Sequence, residues 1–173
     1  MRMEDREYDA AVDAWSRSLR CAPSAWTYRC MAVASERNGQ MGQAVRWLEK
    51  AWKAGPVPVA SPVAVEYVQA LNRAGLHIEA LEFCAGLPPA ARQIDRVRME
   101  EVRAKIFTHD FEGVAEFFQH DFAVLREGEQ SLRELWFLFH EHRLSVESRT
   151  PMTRALRDRV RREFPPPHTI DFP

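Results

Sequence analysis

His140-Glu141-His142 is the stretch whose residue types most invite a metal. Two imidazoles share one ion when they lie one helical turn apart. At i and i+2 on a helix they point about 200° apart, so this pair reads as one packed and one solvated histidine. His109, Asp110, His120 and Asp121 would approach one another across a helical hairpin. His109 and Asp110 fall in a turn, however, and Asp110 reads as a helix N-cap. Cys30 with His77 or His109 would make a nucleophile pair, but Cys30 sits beside Met31 and Ala32 on an apolar helix side, where inert burial is expected. The chain carries no GxGxxG, Walker loop or GxSxG, so no motif for cradling phosphate or activating a serine is present. No catalytic residue, metal or cofactor is therefore assigned, and the expectation is a protein that is not an enzyme.

Charge gives the next limit. Arg154, Arg157, Arg159, Arg161 and Arg162 form the densest basic run, offset by Asp158 and Glu163 and spread over several faces of a helix. That pattern reads as a solvated helix end rather than a nucleic-acid patch. The 173 residues carry a net charge of −1 and a pI near 6.6, so no overall field draws the chain to nucleic acid or lipid. With 46% hydrophobic residues the chain can build a sizeable core. Three cysteines, Cys21, Cys30 and Cys84, are odd in number and lack a CxxC pair. They read as reduced thiols, and a cytoplasmic location is expected. "MRMEDREYDAA" holds no signal-length apolar run, and no stretch approaches eighteen consecutive apolar residues.

The elements that must position these residues repeat. In "AWTYRCMAVASERNGQMGQAVRWLEKAWKAGP", Ser24 caps a helix running to about Arg37, and Asn38-Gly39 turns the chain. A second helix then carries Ala44, Leu48 and Ala51 and ends at Gly55-Pro56. Ala11, Trp15, Ser18 and Pro23 match Ala44, Leu48, Ala51 and Pro56 at a constant offset of 33. Ser61-Pro62 opens the next helix, to about Arg73, and after a turn at Gly75 comes Ala80, 36 residues beyond Ala44. A further helix is expected across "RQIDRVRMEEVRAKIF". The turn "THDFEG" and a helix holding Val114, 34 residues after Ala80, follow it. Hairpins at a period of 33 to 36 predict an all-α solenoid.

Tyr28, Ala32, Gly39, Ala44, Leu48, Ala51 and Pro56 stand where a tetratricopeptide repeat has its signature residues, and residues 6–119 resemble that family. Arg98 and Glu101 depart from it, standing where the family prefers apolar side chains. The resemblance implies a right-handed α-solenoid of about three and a half hairpins, with Trp15, Trp26, Trp47 and Trp52 filling space between helices. It also makes residues 7–23 the second half of a repeat whose first helix would lie upstream. The bared face of Ala11, Trp15 and Ser18 would then pair two copies as a weak homodimer, the alternative being a monomer in which "MRMED" and the helix start fold back to hide it.

Residues 120–173 break the period and are expected to form a helical cap and an extended tail, "HTIDFP", packed with residues 1–119 as one domain. Ser131 and Glu134 read as a capping box, and the run Leu135 to Phe139 is apolar all round. Thr150-Pro151 opens a last helix with Met152, Leu156, Val160 and Phe164 on one stripe. "LREGE", "SLRELWF" and "RREFPPP…IDF" resemble the C-terminal end of an uncharacterised bacterial family that joins β-sandwich domains to tetratricopeptide repeats. That implies an accessory module of a larger carbohydrate-related protein as the alternative function. The leading expectation is a non-catalytic scaffold that binds a protein or peptide, including an upstream domain of its own parent chain, and neither nucleic acid nor membrane. The repeat register puts Trp26, Arg29, Val33, Glu36 and Arg37 in an inner groove, followed by Val65, Gln69, Asn72 and Arg73 and then Arg103. An excess of arginine there suits an extended peptide bearing carboxylates. Val33 and Glu66 stand where the carboxylate-clamp subclass has asparagine, which argues against chaperone-tail binding.

Overall fold

A computed structural model describes residues 3–54, 62–120, 122, 129–168 and 170, and among them helix is the only regular structure. The chain forms two compact units, Met1–Leu76 and His77–Pro173.

The first unit holds α1 (Met3–Cys21), α2 (Ala25–Arg37), α3 (Met41–Lys53) and α4 (Pro62–Arg73). Ser24 caps α2 as its sequence suggests, its hydroxyl accepting a hydrogen bond from the Thr27 N–H at 3.2 Å. The α2–α3 turn needs Gly39 at φ 71°, a left-handed conformation open to glycine. α3 packs on both α2 and α4, and α1 packs on α2. The small side chains do what their spacing predicts: Ala44, Leu48 and Ala51 are 0, 2 and 0% exposed, and Ala32 is buried opposite. Trp47 stacks on Tyr28 with ring centroids 5.9 Å apart. Trp26 departs from the expected space-filling role, since it stands 58% exposed. In α1, Ala11 and Trp15 are half-buried and Ser18 is exposed, and no residue from 7 to 21 is fully buried. Gly55, Pro56 and Ser61 lie outside the described residues.

The second unit holds α5 (His77–Gly86), α6 (Pro89–Arg92), α7 (Asp95–Phe107), α8 (Val114–Phe117), α9 (Glu129–Ser148) and α10 (Arg154–Glu163). α7 is central, with α5, α6, α8 and α9 all packed on it, and α10 packs on α9. The helix expected from Arg92 to Phe107 is broken. Pro89 starts a single turn that ends at Arg92, and Ile94 is extended before α7 begins. The helix expected around Val114 is likewise one turn, entered through Gly113 at φ 71°. Ala80 and Val114, matched to Ala44 by the repeat spacing, are both fully buried.

Met99, Ile106, Val114, Phe117 and Phe118 share one core with Leu132, Leu135, Phe139 and Ile170. Packing is thus continuous across residue 120, where the sequence period ends. α9 starts at Glu129, so Ser131 and Glu134 lie within the helix instead of capping it. Thr153 rather than Thr150 caps α10, accepting from the Leu156 N–H at 3.2 Å. Leu156 and Val160 are buried, and Met152 and Phe164 half-buried. The side chain of Ser131, and the last residues of the tail, 171–173, lie outside the described residues.

Candidate interaction surface on helices α2 and α4

α2 presents Trp26, Arg29, Val33 and Glu36 at spacings of three and four, and α4 presents Glu66, Gln69 and Arg73 in the same way. Arg29 donates from Nε and Nη2 to the two oxygens of Glu66 at 2.7 and 2.6 Å. Seven residues on, the polarity reverses: Arg73 donates from Nη1 and Nη2 to Glu36 at 3.3 and 3.2 Å. Both pairs join residues 37 apart, so α2 and α4 run parallel along this face. The hydrogen bonds to Glu66 hold the Arg29 guanidinium above its ordinary pKa, against the smaller opposing effect of burial.

The apolar part of the surface is Trp26 and Val33, the latter 42% exposed, with the Arg29 guanidinium 5.7 Å from the Trp26 ring. Arg37 instead lies over Tyr8 of α1 at 4.1 Å, while the Tyr8 hydroxyl donates to the Ala34 carbonyl at 3.2 Å. The expected groove is therefore brought together in part. Val65 and Asn72 are buried rather than lining it, and Gln69 is half-buried. Arg103 belongs to α7 in the second unit, where it pairs with buried Glu100 at 3.2 Å. Arg29 and Arg73, expected to await a ligand's carboxylates, already hold carboxylates of this chain. Glu66, read at a clamp position, was not foreseen as the partner of Arg29, although opposite charges at one repeated offset in both directions were there to be read.

The other candidates resolve separately. His140 is buried, and its Nδ1 and Nε2 have no hydrogen-bond partner among the described residues. His142 is half-buried beside Phe107 (5.0 Å) and His109 (5.6 Å), and His77 stacks on Phe107 at 4.4 Å. Burial holds His142 and His77 below the ordinary histidine pKa. Electrostatic repulsion lowers them further, from the neighbouring His109 and His77 rings for His142 and from Arg103 for His77. His120 lies 3.5 Å from Asp95.

Asp110 is a turn residue and not a cap: its Oδ1 accepts from the Glu112 N–H at 3.3 Å, and Gly113 is the N-cap of α8. Asp121 lies outside the described residues. Among the described residues no three His, Cys, Asp or Glu side chains converge to hold a metal ion. Cys21 is exposed and Cys30 half-buried rather than fully buried. Cys84 is sealed in the core, where burial pushes its thiol up to about 12. On α10, Arg157 faces Glu141 at 3.7 Å, Arg159 binds Glu163 at 2.9 Å, and Arg161 lies over Phe137. Among the described residues no helix is long and apolar enough to cross a membrane. Comparison with protein-family models, curated proteins and solved structures returns no match.

Proposed function

We propose that this chain is a non-catalytic binding scaffold of tetratricopeptide type, and that it takes a protein segment against α2 and α4. The observation that carries this reading is an exposed Trp26 and Val33 beside two charge pairs, on a hairpin that buries Ala32, Ala44, Leu48 and Ala51. Burial of Ala44, Ala80 and Val114 supports the repeat spacing of 36 and 34 residues on which the solenoid reading rests. A partner of mixed character fits best. An apolar side chain would cover Trp26, and flanking polar groups would bond around ion pairs that remain closed. A strongly acidic peptide would first have to displace Glu66 and Glu36.

The test is a fluorescence-polarisation screen of a peptide library against the wild-type chain and the double variant Trp26→Ala, Val33→Asp. Exposed substitutions shift stability by about ±0.5 kcal/mol, so the variant should melt like wild type while losing the peptides that wild type binds. Retention of every bound peptide by the variant would move the binding surface elsewhere.

A further inference from the structure

Phe164, the residue that closes α10, is held to α9 by three contacts spaced along one face of that helix. Its carbonyl accepts a hydrogen bond from Trp136 Nε1 at 3.0 Å. Its ring stacks on His140 at 4.2 Å and 21°. The Arg143 guanidinium lies over the same ring at 5.6 Å. His140 is the middle contact, 4% exposed, with Trp136 at 4.2 Å and Phe139 at 4.8 Å completing its cage. We propose that His140 makes this an acid-opened latch, in which protonation of the imidazole frees Phe164 and releases α10 from α9.

As a neutral ring His140 serves as an aromatic disc. As an imidazolium it would carry two N–H donors into a cage that, among the described residues, offers neither an acceptor, with the Arg143 guanidinium close by. Attraction of the charged ring to Trp136 and Phe164 is smaller than the hydration it forfeits. Among the described residues the surrounding charges do not supply a counter-ion. Glu141 is next in sequence, but it is turned to Arg157 and Arg161 of α10. α7 brings apolar Met99, Val102 and Ile106 to the core it shares with α9, and its buried Glu100 is paired with Arg103 at 3.2 Å. Phe117 and Phe118 add rings to the same core. The remaining imidazoles near α9, His77 and His109, gather around His142. Burial, with Arg143 second, holds His140 down to about 4. A histidine whose pKa is lowered by folding leaves the latch fully closed above about pH 6.5, weakens it as pH falls toward 4, and costs nothing further below that.

The experiment follows α10 amide protection factors and the His140 ring carbon by NMR in the full chain between pH 7 and pH 3. Protection of α10 should fall at least tenfold between about pH 6.5 and pH 4 and level off below, where the His140 ring itself titrates. His140→Phe keeps the stacking without the charge and should keep α10 protected at pH 4. Glu141→Gln should open like wild type. Protection that keeps falling below the His140 midpoint, unchanged acid release in His140→Phe, or loss of release in Glu141→Gln would each overturn the proposal. If His140→Phe fails to fold, the protection and titration curves of the wild-type chain still decide the question.

Discussion

Around Ala44 the first unit packs its helices through side chains that scarcely project, whereas around Phe118 the second fills its interior with rings. α2 and α3 meet at Ala32, Ala44 and Ala51, all buried, and the larger groups Tyr28 and Trp47 stack at the margin. In the second unit Phe118 packs edge-on to Phe117 and Trp136 at 5.3 and 5.1 Å and stacks on Phe139 at 6.2 Å. Small contacts let backbones approach closely but remove little apolar area from water. Rings remove much more. The two units should therefore fail in opposite ways, the first when something is added and the second when something is taken away.

The largest effect is expected from Phe118→Ala. Deleting a fully buried phenylalanine costs about 3–5 kcal/mol, and a guanidinium melt read by Trp136 fluorescence should lose most of its stable baseline. A midpoint close to wild type would mean that the aromatic core is looser than its contacts imply. Ala44→Trp comes next, at roughly 1–3 kcal/mol or more from overpacking a position with no exposed surface. Circular dichroism should show a lowered melt, and an unchanged one would break the contrast between the units. The smallest term is the Arg29–Glu66 pair. Its side chains are 32 and 27% exposed, so an alanine double-mutant cycle should give a coupling below about 1 kcal/mol after screening. A coupling of several kcal/mol would make the first unit a structure held by charge.

Local rules were legible in the sequence wherever one residue decides one geometry. Ser24 caps α2, and Gly39 and Gly75 take positive φ in the turns where they were placed. The buried stripe of Ala44, Leu48 and Ala51 follows from helical spacing alone. What escaped depends on partners distant in sequence. Arg98, which breaks the repeat pattern, lies over the ring of Phe117 in α8 at 5.6 Å. Glu101 pairs with Arg92 at 3.1 Å, across the break before α7. Spacing could show that His140 and His142 face apart, but not which of them the core would enclose. The proposed binding surface was half legible: Trp26, Arg29, Glu36 and Arg73 stand on the face shared by α2 and α4. The occupancy of its arginines required knowing that α4 slides beside α2 at an offset of 37.

That offset also acts as a check on assembly. Arg29 and Glu36 on α2 read in the opposite order to Glu66 and Arg73 on α4, with seven residues between the members of each set. Slipping one helix past the other by two turns would bring Arg29 against Arg73, or Glu36 against Glu66. Each misalignment exchanges an attraction for a repulsion between like charges, so its penalty exceeds the modest strength of either pair. Two weak ion pairs of reversed sense thus give α4 a single setting beside α2, in the way that wards admit one key to a lock.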